Sequence, residues 1–344
     1  MRRGAVIASL VIVAVIVVLV AVASGAVRMP LREVTDILWL GSRGEVAPWP
    51  DSHRRILWSI RLPRVLLGFV VGAALAASGT VLQALFRNPM ADPYVTGVSS
   101  GAALGAVLAL LAEPAANVLP ASASVPLSGF ISSLLTLGAV LWLTRSHRRG
   151  GVLSITALLL IGVAVSSFIS ALVSLLVFFH PQQLAPIYFW LLGGLGRGDW
   201  NVLTWVGVYT LIGVTVLLVL ARDMNALASG EETAFYLGLP VARLARLLLV
   251  VAALLTGATV AVSGMIGFVG LIVPHLLRLL VGPDHRLLLP ASIIGGGTFL
   301  VFCDTIARTV ISPQELPVGV VTALLGSPFF VWILRKWVTT GGAS

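Results

Sequence analysis

Apolar residues fill this chain in long blocks, separated by short clusters rich in Arg, Pro, Gly and Asp. Ten blocks stand out, at about 5–25, 62–86, 93–112, 126–144, 152–178, 200–221, 243–263, 267–281, 287–306 and 317–337. A helix crossing a bilayer takes about 20 mostly apolar residues, so each block except the eighth predicts a full span. The eighth is short, and is therefore tilted, buried by neighbours or incomplete. Strands of an outer-membrane barrel alternate polar and apolar residues instead of running apolar for twenty positions. The pattern predicts an all-α polytopic membrane protein of about ten transmembrane helices. Residues 1–344 read as one transmembrane domain, with no low-complexity linker and no second soluble unit.

Composition agrees. Of 344 residues, 58% are hydrophobic and only 10% charged, against roughly 25% charged in a soluble domain. A mean hydropathy of +1.05 excludes a soluble enzyme and a disordered chain. The net charge of +9 would suggest nucleic acid in a soluble protein. Here the cations lie between apolar blocks, where they fix orientation in the bilayer, and no nucleic-acid partner is expected. With both termini in the cytoplasm, thirteen Lys and Arg fall inside and nine outside, seven of the nine in one segment between Arg28 and Arg64. Arg2 and Arg3 precede the first block, and Ala21-Val22-Ala23 resembles a signal-peptidase site. The run is longer than a signal h-region and reads as a retained first helix at 5–25.

Several chemistries lack their residues. The chain has no GxxxxGK[ST], and its one lysine, Lys336, lies in the C-terminal tail, so no P-loop lysine is present. No HExxH or cysteine cluster marks a metal site, and Cys303 stands alone. Ion-coupled carriers keep titratable groups at mid-membrane. Here only Asp304 qualifies, near a span end with Arg308 one turn on, a spacing suited to a local ion pair. An ion-coupled secondary transporter and an intramembrane enzyme remain as rival classes, both short of residues.

Other segments are polar where they need not be. Arg61-Leu62-Pro63-Arg64 opens the second span with proline in a first helical turn. Its arginines, like Arg308 at another outer helix end, read either as outward forks for carboxylates or as side chains snorkelling to headgroups. Asn88-Pro89-Met90-Ala91-Asp92-Pro93 is a tight turn leading into a Gly/Ser packing face at 97–105. Residues 222–242, between the sixth and seventh spans, predict two short helices broken at Gly230, with Glu231 and Glu232 favourable at the second N-terminus. Such amphipathic pieces suit docking into a groove of another protein. Pro274, inside the short eighth span, frees a backbone carbonyl that a neighbour or a water-lined path must satisfy.

Taken in order, RLPR at 61–64, NPMADPYVTGVSSGAALGA at 88–106, MNALASGEETAFYLGLP at 224–240, SGMIGFVGLIVPHLLRLLVGPDHRLLLPAS at 263–292 and ELPVGVVTALLGSPFF at 315–330 resemble the FecCD family of ABC importer permeases over about residues 55–337. The resemblance implies the type II importer permease fold in a bacterial or archaeal plasma membrane. It also implies a homodimer, two cytoplasmic ATPase subunits and an extracytoplasmic substrate-binding protein. The chain itself would carry no catalytic residue, metal or cofactor, since ATP and Mg bind the partner ATPase. Arg61, Arg64 and Arg308 match the positions that dock the binding protein. Asn225, Leu227, Gly230, Glu231, Ala234 and Gly238 match the ATPase-coupling helices. Asn88, Met90, Ser154, Ile155 and Thr156 match the translocation path and its gate, the path lying at the dimer axis, lined mainly by the fifth and tenth spans and closed inside by the start of the fifth and the turn after the second. The cargo class is ferric siderophore, haem or cobalamin, with ferric siderophore placed first.

Overall fold

The computed structural model describes residues 2–25, 27, 29–42, 49–112, 121–145 and 155–339, and among these every regular element is helical. Helices α1 (Arg2–Ala23), α2 (Leu31–Ser42) and α3 (Asp51–Ile56) come first. A wider π-helical turn at Leu57–Arg61 joins α3 to α4 (Leu62–Leu85) as one rod. Then follow α5 (Val98–Ala112), α6 (Ala121–Arg145), α7 (Ile155–Phe179), α8 (Leu184–Leu191) and α9 (Trp200–Val219). The short α10 (Ala221–Ala228) and α11 (Glu231–Tyr236) precede α12 (Val241–Ser263), α13 (Val269–Val281), α14 (His285–Thr309) and α15 (Val318–Thr339).

All ten predicted blocks are helices. Among the described residues, seven helical stretches are long and apolar enough to span a bilayer, and α5, α13 and α15 supply shorter apolar ones. At 13 residues, α13 covers roughly 20 Å at 1.5 Å per residue. It starts deep in the bundle, beside the middle of α4. The helices missing from the sequence reading are α2, α3 and α8, each of 12 residues or fewer. In α2, Val34 and Ile37 are buried against the bundle while Trp39 projects.

The α3–α4 rod is the hub. In its most apolar stretch 83% of residues are buried, against 17% in α7. Two glycine contacts make this possible. A Cβ on Gly79 would lie 1.8 Å from the Gly270 carbonyl oxygen of α13, and one on Gly72 would lie 2.2 Å from the Gly296 carbonyl of α14. Such backbone-to-backbone approach needs small residues, the usual device for packing helices in lipid. The carbonyl that Pro274 frees, on Gly270, is met by α4: the Gln83 amide reaches it at 3.4 Å and the Leu271 carbonyl at 3.0 Å. Arg278 in turn donates to the Gln83 carbonyl at 2.9 Å.

Candidate functional site

At one end of the bundle, α10 and α11 form a hairpin. Gly230 breaks it in two as predicted, with φ at +130°, a region that favours glycine. Met224, Leu227 and Ala234 are fully covered, with α10 packed on α4 and α14 and α11 on α12. Leu227 and Ala234 therefore face the chain's own core, away from any partner. The projecting surface is Phe235, Tyr236 and Leu237, 70%, 85% and 66% exposed, with Gly238 beside them. Three large apolar residues in a row, where a solvated turn would be polar, are the signal in the sequence that marks them. Glu231 meets Arg87 at 3.7 Å with both side chains well exposed, a contact of little energetic weight.

Asn225 faces inward. Its Oδ1 accepts from the backbone N–H of His285 at 2.8 Å, which fixes the amide's orientation, and its Nδ2 donates to Asp284 at 2.7 Å. His285 Nδ1 also lies 2.7 Å from Oδ1, so that nitrogen carries the proton. Asp284 caps α14 by accepting from the backbone N–H of Arg286. Hydrogen bonds from Arg286 and then Asn225 hold its carboxyl well below the usual carboxylate range.

The turn after α4 lies at the same end. Asn88 accepts from the backbone N–H of Met90 at 2.9 Å, closing the turn, with Asn88 exposed and Met90 half-buried. The turn's next piece packs on α7, where a Cβ on Gly162 would lie 2.4 Å from the Val95 carbonyl. Ile155 begins α7 and Thr156 is exposed, while Ser154 lies outside the described residues. Further along α7, exposed Val163, Ser167, Ser170 and Ser174 fall on the face of Thr156, since spacings of three, four and seven residues superpose on a helix. Phe168, Leu175 and Phe179, also exposed, occupy a separate sector.

At the opposite end the three arginines turn inward, correcting the expectation of outward forks. Arg61, Arg64 and Arg308 are only 5%, 9% and 6% exposed. Arg61 donates to the carbonyls of Val22 and Ala23 at 3.0 Å, and to that of Val27. Arg308 reaches the carbonyls of Ala21 and Ser24 at 3.2 and 3.3 Å. These include the last carbonyls of α1, which have no partner within their own helix and favour a cation. Asp304 joins the group, its two oxygens 2.9 Å from Arg64 Nη2 and Arg308 Nε. The Asp304–Arg308 pair predicted from spacing is present. Glu315, half-exposed, takes Arg64 Nη1 on both oxygens at 3.0 and 2.9 Å. A cavity of about 210 Å3 opens here, lined by Arg64, Trp190, Arg197, Asp304 and Glu315.

The architecture is thus that of a helical membrane permease, with a protruding hairpin at one end and a buried ionic platform at the other. The chain belongs to the FecCD transport family, whose profile matches residues 12–336. It is 46% identical over 288 residues to the cobalamin import system permease protein BtuC of Halobacterium salinarum, covering 83% of this chain and 75% of that one. It is 43% identical over 293 residues to the hemin transport system permease protein HmuU of Yersinia pestis, covering 84% and 86%. An inward-facing structure of a metal-chelate type ABC transporter superposes with a TM-score of 0.84 at 32% identity, over 97% of this chain and 99% of that chain. The chain is accordingly a multi-pass permease subunit of an ABC importer from the metal-chelate, haem and cobalamin group.

Proposed function

We propose that two copies of this chain form the translocation path of an ATP-driven importer. Two ATPase subunits bind the α10–α11 hairpins in the cytoplasm, and a substrate-binding protein docks at the α3 end. Both termini then lie in the cytoplasm, ATP and Mg belong to the ATPase, and this chain performs no catalysis. The observation that carries the reading is the hairpin, locked to the core by Met224, Leu227 and Ala234 while Phe235, Tyr236 and Leu237 project. An exposed aromatic pair on a rigid seat is the composition of a protein-binding hot spot. Movement of the ATPases passes through that seat into the bundle and exchanges inward-open for outward-open states.

The path runs along the hydroxyl strip of α7, Thr156, Ser167, Ser170 and Ser174. This strip faces the dimer axis and α15 of both copies, with Asn88, Met90, Ser154 and Ile155 at its cytoplasmic mouth. Short hydroxyls offer weak, replaceable hydrogen bonds, as a rigid cargo that must be released requires. Arg61, Arg64 and Arg308 build the docking platform from within. Arg64 is the one that an incoming carboxylate meets, by displacing the half-exposed Glu315.

For cargo, the two relatives described above are named for cobalamin import and hemin transport at nearly equal identity, so we infer a metal held in a tetrapyrrole. Ferric siderophore, first from sequence, is the second reading. The test is uptake by proteoliposomes holding this chain with its ATPase and binding protein, given cyanocobalamin, haemin or a ferric siderophore. ATP-dependent uptake of a tetrapyrrole supports the assignment, and uptake of the siderophore alone replaces it. Uptake driven by a proton or sodium gradient without ATP sinks the importer reading.

A further inference from the structure

Among the described residues, every side-chain hydrogen bond from α10 to another helix or its cap belongs to Asn225. That one amide uses both of its polar atoms on the start of α14, gripping the cap carboxylate of Asp284 and the His285 backbone N–H at 2.7 and 2.8 Å. From there α14 runs 25 residues, about 37 Å, to the other end of the bundle. Along the way its backbone touches that of α4 at Gly72 and Gly296, with no side chain between to absorb a shift. Its last turns carry Asp304 and Arg308. Asp304 holds Arg64, and Arg308 holds carbonyls at the C-terminal end of α1. One helix is therefore fastened at one end to the projecting hairpin and at the other to the arginine platform.

We propose that Asn225 is a positioning residue that couples the two ends: it ties the ATPase-bound hairpin to α14, and α14 carries the hairpin's displacement to Asp304 and Arg64. The inference rests on the importer reading above and names the link by which nucleotide at one face changes docking at the other. The fastening is a two-point grip with set directions, charge-assisted at Asp284, and adds to the apolar seat made by Met224 and Leu227. Coupling between two sites is a free energy carried by an element that both sites bias, and α14 is that element.

The experiment uses the assembled permease–ATPase complex in nanodiscs, with docking of the binding protein measured with and without a non-hydrolysable ATP analogue. The ratio of the two affinities is the coupling, and allosteric couplings commonly amount to about 5–150-fold. Asn225→Ala is expected to bring that ratio close to one, measured on complexes that retain the ATPase. The exchange Asn225→Asp with Asp284→Asn swaps donor and acceptor in the bond between residues 225 and 284 and leaves the His285 N–H donating to residue 225, and is expected to restore the ratio. An unchanged ratio in Asn225→Ala overturns the proposal, as does a well-folded exchange variant that stays uncoupled. Should Asn225→Ala not fold, the exchange variant alone decides. A parent chain that binds no ATPase overturns the importer reading itself, a result separable from both.

Discussion

Removing the Asp304 carboxylate should unfold the α3 end from within. In the parent chain its oxygens meet Arg64 Nη2 and Arg308 Nε at 2.9 Å, with the Asp304 side chain 2% exposed. Asp304→Ala leaves two buried guanidiniums side by side, Arg64 with Glu315 alone and Arg308 with backbone carbonyls alone. Breaking a buried ion pair by deleting one partner costs about 3–5 kcal/mol. The remaining acceptors hold the expected loss near the lower end, about 3 kcal/mol. In an Arg64→Met background the same deletion should cost at least about 1 kcal/mol less, since coupled neighbours deviate from additivity by about 0.5–3 kcal/mol. The assay is reversible unfolding in mixed micelles by titration with a denaturing detergent, followed by the fluorescence of the nine tryptophans. A loss within about 0.5 kcal/mol of zero, the range of a neutral surface change, would refute the internal pairing. Arg64 and Arg308 would then be free of Asp304.

Three other outcomes follow from separate parts of the structure. Gly79→Val sets a side chain against the Gly270 backbone, which has no flexible end to yield, and should cost at least about 1–3 kcal/mol in the same titration. Gly138→Ala, with nothing within 4 Å of the added Cβ, should gain up to about 1 kcal/mol from helix propensity, and an equal loss at both sites would contradict the close-contact argument. Tyr236→Glu should lower ATPase retention on the purified permease roughly 30-fold or more, the effect of losing a hot-spot aromatic at about 2 kcal/mol or above, with the fold intact by the unfolding titration. Ser170→Cys should react with a charged, membrane-impermeant thiol reagent and Phe168→Cys should not. Buried Cys303 gives no background, and equal labelling of the two would remove α7 from the path.

The spans were legible because apolar blocks of bilayer length have few alternatives, and Gly230 showed where the hairpin breaks. Facing was harder to read. Leu227 and Ala234 stood out by resemblance, yet the helical spacing of Met224 and Leu227 turns them to the core and leaves Phe235–Leu237 outside. The arginines were legible as a group but not their direction. Arg61's acceptors at the end of α1 and just beyond lie 34 to 39 positions away and Arg64's Glu315 lies 251 positions away, and no local pattern announces either. The same holds for Gln83, which answers Pro274 across the bundle. In α2 and α8, amphipathic or short apolar runs fall below span length and pass for loop.

The central claim is that this chain works under an ATPase, and one measurement meets it directly. The tagged chain is purified from its native membranes in mild detergent, and its stoichiometric partners are identified by mass spectrometry. The account predicts a soluble P-loop ATPase in one-to-one ratio with the permease, lost from Tyr236→Glu. A chain that emerges without an ATPase and moves solute under an ion gradient alone would contradict it.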